Sequence, residues 1–273
     1  KKNKIKVQNG ILASEIKNEH NVEILDLATK DINEQKLRKI ISEKDVIGVS
    51  SSWTMNKKNT INLAQWIKKV RPDVTLLSGG NHATFDYVDY LNHGFDYIIR
   101  YEGERTIVEL INHLNKKKIK IEKIKGIAYR KNDNIIVNKP RSFIKNLDYL
   151  KTPSWELLGN YHTTYRTFWG ITYALETSRG CIHKCNFCSD VAFWQNLWRT
   201  KSPKRILYEM LLLKQKGADF IRINDANFAV DPNNVIRTCK LLTEHNFDVP
   251  WSAPLTADYI AKFPKTIKAM HDA

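Results

Sequence analysis

The chain has 273 residues, of which 42% are hydrophobic and 27% charged, and its mean hydropathy is −0.45. These values predict a soluble globular protein long enough for two domains. The longest apolar runs, such as Ile206 to Leu213, fall short of the roughly 18 to 20 residues that cross a bilayer, so we expect no membrane span. No apolar core follows the first six residues, so we expect no signal peptide there.

The formal net charge of +15 raises the question of a nucleic-acid partner, because basic patches neutralise phosphates. The lysines are dispersed, however, and the short cluster Lys116-Lys-Lys-Ile-Lys120 contains no interleaved aromatic residue. This pattern favours a solvated surface. We therefore expect no nucleic-acid partner.

Residues 1–118 alternate short apolar stretches with amphipathic ones, which predicts a Rossmann-like, doubly wound α/β domain with a parallel sheet. The expected strands are Val22–Leu27, Val46–Ser50, Val74–Ser78 and Tyr97–Arg100, and the expected helices are Glu34–Ser42, Thr60–Val70, Tyr87–Leu91 and Thr106–Leu114. Ligands of such sheets bind at the carboxyl ends of the strands. The loops expected there are Ser50–Thr54, Gly79–Thr84 and Tyr101–Glu104.

Residues 119–160 predict a small β extension and linker, with strands at Gly126–Arg130 and Ile135–Val137. Residues 161–273 predict βα units of a partial barrel, whose strands are Tyr173–Thr177, Phe220–Asn224 and Val249–Pro254 and whose first helix is Pro203–Gln215. One βα unit takes roughly 30 residues, so this segment accounts for about half of a six-stranded barrel. We therefore expect a fragment of a longer enzyme with residues missing at both ends.

Three cysteines with CxxxCxxC spacing, Cys181, Cys185 and Cys188, are the most specific motif in the chain. Three thiolates on one short loop can bind three irons of a [4Fe–4S] cluster and leave the fourth iron open to a ligand. Structural zinc is the alternative, but it needs four ligands, and a disulfide framework would leave an odd thiol. Cys239 lies far downstream in a helical pattern and is expected to be a buried helix residue.

This loop resembles the cluster motif of the radical S-adenosylmethionine (SAM) superfamily, including the aromatic Phe187 before the third cysteine. The resemblance implies that the three cysteines ligate the cluster and that its open iron chelates SAM, which is cleaved to a 5′-deoxyadenosyl radical. It also implies that Phe187 contacts the adenine and that Asp225 bonds the amino group of SAM. The ordinary role for Asp225 would be to cap the turn before Asp231.

The three N-terminal loops together resemble the cobalamin-binding domain that precedes the radical domain in one class of this superfamily. Each loop alone has an ordinary interpretation as a turn, a bend or a helix cap. Asn81 and Tyr101 depart from the residues usual in that class. The resemblance implies cobalamin contacts at Ser51, Thr54, Gly79, Gly80, His82, Glu102, Gly103 and Glu104.

The chain has no Asp-x-His-x-x-Gly segment, which in other cobalamin proteins supplies a histidine to cobalt. The resemblance therefore implies that cobalt is bound without a protein histidine. His82 can still be considered as a cobalt ligand, although a polar contact to the corrin tail is the preferred role.

The resemblance implies a cobalamin-dependent radical SAM enzyme, with methylation of an unactivated carbon as the leading reaction. The stretches Cys188–Trp194 and Trp198–Pro203 are especially similar to the anaerobic magnesium-protoporphyrin ester cyclase branch, so oxidative cyclisation remains an alternative. A methylthiotransferase would need a second cysteine set, and none precedes Cys181. A noncatalytic corrinoid-binding or cluster-binding module is the remaining alternative.

The expected partners are a small-molecule or peptide substrate and an external reductant such as flavodoxin or ferredoxin. An oxygen-sensitive cluster favours the reducing cytoplasm. The sequence does not assign catalytic residues, the substrate or the oligomeric state.

Overall fold

The computed structural model describes residues 7–27, 32–115, 119–158 and 165–273. Contacts divide the chain into two compact units. The inserted unit is Glu15–Ile144, and the cysteine unit combines the residues up to Ser14 with Lys145–Ala273. The contacts therefore divide the chain at other positions than 118 and 160, the boundaries expected from sequence.

The inserted unit has a five-stranded sheet with the order β1-β2-β3-β4-β5. β1 to β3 run parallel, and β4 and β5 are antiparallel additions at the edge. The strands are β1 (Val46–Ser50), β2 (Thr75–Gly79), β3 (Tyr97–Ile99), β4 (Ile127–Lys131) and β5 (Asn134–Val137). The described helices, beginning with one that crosses the boundary between the units, are α1 (Val7–Ile16), α2 (Glu34–Ser42), α3 (Lys57–Val70), α4 (Asn81–Phe85), α5 (Tyr87–Asn92) and α6 (Glu104–Leu114).

Apolar periodicity explains this packing. In α3 the buried positions Thr60, Ala64 and Ile67 lie one or two turns apart, so they share one helix face. Leu76 and Leu77 point to opposite faces of β2, and both are buried, as expected of a central strand covered on both sides. The fold class expected from the sequence, a Rossmann-like α/β domain, is confirmed.

Two expectations for this unit are corrected. The strand expected at Val22–Leu27 is wrong, because the structure has no regular element there and only Asp26 of that stretch is buried. The antiparallel pair β4 and β5 was expected in a linker, but β4 is hydrogen-bonded to β3 and belongs to the sheet.

The cysteine unit is built around a four-stranded sheet with the order β11-β10-β7-β6. β7, β10 and β11 run parallel, as expected of βα units. The strands are β6 (Arg166–Thr167), β7 (Gly170–Leu175), β8 (Ser178–Arg179), β9 (Arg199–Thr200), β10 (Phe220–Ile223) and β11 (Trp251–Ser252). The described helices of this part are α7 (Ser189–Trp194), α8 (Pro203–Gln215), α9 (Pro232–Glu244), α10 (Ala257–Lys262) and α11 (Pro264–Asp272).

Side-chain caps define where the two crossover helices begin. The Ser202 hydroxyl accepts from the backbone N–H of Arg205 at 3.2 Å before α8, and Asp231 accepts from the N–H of Asn234 at 3.0 Å before α9. In both helices proline follows the cap, where its fixed φ suits the first turn.

The N-terminal helix α1 joins the cysteine unit through Ser14. The Ser14 hydroxyl is within hydrogen-bond distance of the carbonyls of Gly10, at 2.7 Å, and Thr152, at 2.6 Å, and of the Ser154 hydroxyl, at 2.8 Å. Ile11 packs with Ala174 of β7. Across the described ranges, no helix has the length and apolar character that a membrane span requires.

Candidate cofactor-binding sites

The loops after β1, β2 and β3 meet at one edge of the inserted unit, because these strands are parallel. The loop after β2 closes against the loop after β1, where the Ser51 carbonyl accepts from the N–H of Ala83 at 3.3 Å. Gly80 has a φ of +102°, and a Cβ there would lie 2.8 Å from the Ser51 carbonyl oxygen. Only glycine fits this approach. A Cβ on Gly79 would lie 3.2 Å from the Ile99 carbonyl oxygen, which is also tight.

Ser51, Tyr90 and His82 form a hydrogen-bonded chain at this edge. The Ser51 Oγ and the Tyr90 hydroxyl oxygen are 2.5 Å apart, and the Tyr90 oxygen lies 3.1 Å from Nδ1 of His82. Ser51 and Tyr90 are fully buried, whereas His82 is half-buried. Burial raises the pKa of Tyr90, which favours the neutral phenol. Sequence reasoning selected Ser51 and His82 but missed Tyr90, whose position in α5 suggests only core packing.

The loop after β3 contains two buried acidic residues, Glu102 and Glu104. Glu102 is buried, and its Oε2 accepts from the backbone N–H of Ile144 at 2.6 Å. Glu104 is also buried, in the first turn of α6, and Gly103 occupies the cap position before it. Tyr101 has a φ of +63°. Both side chains are thus buried, and the bond from Ile144 favours a role for the Glu102 carboxylate in shaping the loop.

The loop after β1 presents apolar side chains at the surface. Thr54 begins the short 3₁₀ helix Thr54–Asn56 and is exposed. Its neighbours Trp53 and Met55 are 53% and 92% exposed. Large exposed apolar groups often belong to binding surfaces. Sequence reasoning selected Thr54 for its hydroxyl and overlooked these two neighbours.

The three motif cysteines follow β8 in the cysteine unit, and all are free thiols. Cys185 and Cys188 are joined by a turn in which the Cys188 N–H donates to the Cys185 carbonyl at 3.1 Å. The pKa of Cys181 is raised by its partial burial and then by the nearby Cys188, Cys185 and Asp190.

This donor set fits an iron–sulfur cluster with three protein ligands, because three unpaired thiols lie on one short loop. Among the residues that the structure describes, no three His, Cys, Asp or Glu side chains already stand in a metal-ligating arrangement. Cys239 is buried in α9, as expected, and burial raises its thiol pKa to about 12.

Gly180 lies directly before the cysteine loop and determines the backbone conformation there. Its φ is +88°, and a Cβ built there would overlap the carbonyl oxygen of Leu197. A glycine is therefore required directly before Cys181 for two independent reasons, the backbone conformation and the space.

Asp225 lies at the carboxyl end of β10 and is buried. Its Oδ1 accepts from the backbone N–H of Thr177 at 2.7 Å, and its Oδ2 accepts from the hydroxyls of Thr177 and Ser178. Burial raises the pKa of this carboxyl to about 6, an effect that these hydrogen bonds oppose. These bonds go to Thr177 and Ser178, and the cap of α9 is Asp231.

Asn227, two residues further on, is 1% exposed, and neither its amide oxygen nor its amide nitrogen has a hydrogen-bond partner within the described ranges. Buried amides are normally paired. Phe187, in contrast, is 88% exposed beside Cys188. Sequence reasoning selected Phe187 and missed Asn227; the signal would have been its place in the segment after β10.

Buried ion pairs support the strand ends near the cysteine loop. Glu176 and Arg179 are paired at 2.8 Å. Lys201 and Glu209 are paired at 2.6 Å, and Arg205 contacts the other oxygen of Glu209 at 2.7 Å. These contacts bind the segment around β8 and β9 to α8.

Part of the chain matches a known protein family, and most of the chain is similar to named relatives. Residues 11–111 match the family model described as the B12 binding domain, so this part of the chain is a B12-binding domain. The chain is 29% identical over 248 residues to an uncharacterized methyltransferase of Pyrococcus horikoshii, covering 89% of this chain and 53% of the relative. It is 28% identical over 235 residues to the anaerobic magnesium-protoporphyrin IX monomethyl ester cyclase of Rubrivivax gelatinosus, covering 83% and 42%.

The fold agrees with this class. The solved structure of OxsB, a cobalamin-dependent SAM radical enzyme, has a TM-score of 0.79 and 23% identity, covering 98% of this chain and 39% of that one. The radical SAM methyltransferase TsrM of Kitasatospora setae has a TM-score of 0.74 and 14% identity, covering 98% and 55%. The chain resembles the cobalamin-binding radical SAM superfamily, and the resemblance expected from the sequence is confirmed. It spans about half the length of the curated relatives it matches.

Proposed function

We propose that the chain is part of a cobalamin-dependent radical SAM enzyme that methylates an unactivated carbon with a [4Fe–4S] cluster, SAM and cobalamin. One observation carries the proposal. A B12-binding domain at residues 11–111 occurs in the same chain as a CxxxCxxC loop at the carboxyl edge of parallel strands.

In this proposal Cys181, Cys185 and Cys188 hold the cluster, and Phe187 contacts the adenine of SAM. When bound, the cluster supplies the electron that cleaves SAM, and cobalamin supplies the methyl group. The exposure of Phe187 supports a ligand contact, since nothing in the fold requires an aromatic ring there.

In this proposal Asp225 positions the segment that leads into the cysteine loop, through its hydrogen bonds to Thr177 and Ser178. Its carboxylate already accepts from Thr177 and Ser178, so a bond to the amino group of SAM would have to be shared with them. Asn227, two residues further along the chain, has a buried amide whose two polar atoms have no hydrogen-bond partner within the described ranges. We therefore assign the direct polar contact to Asn227 and the positioning of the loop to Asp225.

In the inserted unit, Gly79, Gly80 and Gly103 allow the backbone to approach the cobalamin, and Thr54 and His82 offer polar contacts. Ser51, Glu102 and Glu104 are buried, so they shape the loops from within. The substrate class is a small molecule or peptide, and the electron comes from an external reductant of the flavodoxin or ferredoxin type.

Oxidative cyclisation is the second candidate. The observation that favours it is the 28% identity to the ester cyclase of Rubrivivax gelatinosus over 83% of this chain. Both reactions would use the same three cofactors. They differ in product, so the mass of the product separates them: methylation adds a CH₂ unit, and the cyclase reaction does not.

The test is metal content after anaerobic reconstitution with iron, sulfide and cobalamin. The proposal expects about four irons and stoichiometric cobalt per chain. Single changes of Cys181, Cys185 or Cys188 to Ala should abolish the iron signal, whereas the control Cys239→Ala should retain it. Iron without cobalt would contradict the cobalamin part of the proposal. Zinc without iron would indicate that the cysteines form a structural zinc site.

A further inference from the structure

The hydrogen-bonded chain Ser51–Tyr90–His82 has a direction. A tyrosine hydroxyl carries one hydrogen, so Tyr90 can donate either to Ser51 or to His82, but not to both. Within the described ranges, Tyr90 is the only hydrogen-bond partner of the Ser51 hydroxyl. The order of donors and acceptors among these three side chains therefore depends on which atom accepts the buried hydroxyl hydrogen of Ser51.

The Ser51 hydroxyl is fully buried. If Tyr90 donated to it, the hydrogen of Ser51 would be left without an acceptor, and an unpaired buried donor is strongly disfavoured. Ser51 therefore donates to Tyr90, and Tyr90 donates to Nδ1 of His82. Burial raises the pKa of Tyr90, which keeps the phenolic hydrogen available for this bond.

An imidazole whose Nδ1 accepts a hydrogen bond carries its own hydrogen on Nε2. We propose that Ser51 and Tyr90 hold His82 in the Nε2–H tautomer, so that His82 donates a hydrogen bond to an oxygen of the bound corrinoid and does not coordinate its cobalt. A ring nitrogen that bears a hydrogen has no lone pair for a metal. Tyr90 is in this sense a positioning residue.

The position of His82 supports this role. It is half-buried in the loop after β2, and Gly80, two residues before it, lets the backbone turn closely over Ser51. No hydrogen bond from Nε2 is found within the described ranges, so this group is available for a ligand. The inference rests on the proposed binding of cobalamin to the inserted unit.

Two parts of the corrinoid offer a suitable oxygen, the phosphate of the nucleotide tail and the amide carbonyls of the corrin side chains. Cobinamide, which retains the corrin amides and lacks the nucleotide, separates them. The probes are therefore cobalamin and cobinamide, each bound to the whole chain.

The first test needs no cofactor. Long-range proton–nitrogen NMR spectra of the whole chain labelled with ¹⁵N-histidine show which ring nitrogen of His82 is protonated. We expect Nε2–H in the wild type and a mixture of tautomers in Tyr90→Phe. Nδ1–H in the wild type would overturn the proposal.

The second test is affinity, measured by equilibrium dialysis. His82→Ala should bind cobalamin about tenfold more weakly, as expected for one lost hydrogen bond. Tyr90→Phe should weaken binding less, and should add nothing in the His82→Ala background. Tyr129→Phe is the matched control, because Tyr129 is a buried tyrosine of the same unit whose hydroxyl has no partner in the described ranges.

A loss confined to cobalamin would assign the phosphate as acceptor, and an equal loss with cobinamide would assign a corrin amide. Unchanged affinity of His82→Ala for both corrinoids would overturn the proposed hydrogen bond. A wild-type chain that binds neither corrinoid would overturn the proposed function, while the NMR result would still decide the tautomer.

The third test addresses cobalt directly. Electron paramagnetic resonance spectra of bound cob(II)alamin should be identical for proteins with ¹⁴N-histidine and ¹⁵N-histidine. A nitrogen splitting that changes with the label in the wild type and is absent from His82→Ala would show coordination and overturn the proposal.

Discussion

Thr177 and Asp225 are joined by two hydrogen bonds across 48 residues of sequence, one from the backbone N–H of Thr177 and one from its hydroxyl. Thr177 lies between β7 and the cysteine loop, and Asp225 follows β10. The neighbouring parallel strands β7 and β10 are thus joined at their carboxyl ends. Thr177, on the β7 side of this link, lies four residues before Cys181. The position of the cysteine loop therefore depends on this carboxyl group.

Removal of the Asp225 side chain should loosen this attachment. Asp225→Ala leaves the buried N–H of Thr177 without its acceptor, which costs about 1 to 3 kcal/mol. We expect a lower free energy of unfolding and less iron after reconstitution. Asp225→Asn keeps an acceptor for the N–H and can donate to the hydroxyl oxygens, so it should retain most of the iron. Equal iron loss in both variants would contradict this account.

Asp225 should also make stability depend on pH. Burial raises its pKa from 3.8 to about 6 in the folded protein, so the folded state binds more protons than the unfolded state between these values. Its contribution is present at low pH and decreases as pH rises from about 4 to about 6, by about 3 kcal/mol in total. Denaturant unfolding across this range should show Asp225→Asn gaining stability relative to the wild type, and a constant difference would contradict the prediction.

Gly180→Ala should prevent correct formation of the cysteine loop. The added Cβ meets the Leu197 carbonyl in a backbone conformation that disfavours alanine. We expect a marked loss of folded protein or of reconstituted iron. Gly94→Ala is the matched control, because Gly94 also has a positive φ, of +102°, but its added Cβ would meet only the flexible Lys68 side chain, at 3.5 Å. Similar damage in both variants would point to backbone strain alone.

The two partners of the buried Lys201–Glu209 ion pair should differ in how much their substitution destabilises the fold. Glu209→Gln leaves Lys201, which is 1% exposed, without its counter-charge, and breaking a buried pair costs about 3 to 5 kcal/mol. Lys201→Met should cost less, because Arg205 still pairs with Glu209. Unfolding in denaturant measures both, and a larger loss for Lys201→Met would contradict the assignment.

Asn227→Leu should separate stability from ligand binding. An unpaired buried amide contributes a desolvation cost in the ligand-free chain, so the leucine variant should have an unchanged or higher Tm. We expect it to retain SAM more weakly after reconstitution. Asn224→Leu, an exposed change in the same segment, is the control. Normal SAM retention in Asn227→Leu would remove Asn227 from the binding site.

Much of the fold follows from local periodicity. Glu34–Ser42, Val46–Ser50 and Pro203–Gln215 have the expected bounds, because amphipathic spacing and caps define them. Val22–Leu27 has the apolar composition of a strand but no regular structure, since pairing depends on neighbours that the segment itself does not encode. β4 and β5 were recognised as strands, yet only tertiary contacts reveal the sheet that they join.

Some residues of the candidate sites can be identified from the sequence, and others only from the structure. Spacing alone identifies the cysteines, and their ligand roles remain a prediction. Tyr90 could not be selected from sequence, because its interest lies in a buried hydroxyl beside His82. The sequence signals Asn227 only by its place after β10, and the structure adds that its buried amide has no partner within the described ranges. Glu102 illustrates the converse, since a carboxylate in a glycine-containing loop suggested a ligand contact and the structure shows it bound to a backbone N–H.

The insertion of one unit within another gives the chain an order of folding during synthesis. The Ser14 hydroxyl bonds to the Thr152 carbonyl, 138 residues later, so α1 leaves the ribosome long before its partner. At about 5 to 20 residues per second, the delay is on the order of ten seconds. All of Glu15–Ile144 is made in that interval, and this unit can complete its sheet while α1 still waits for the segment that covers it.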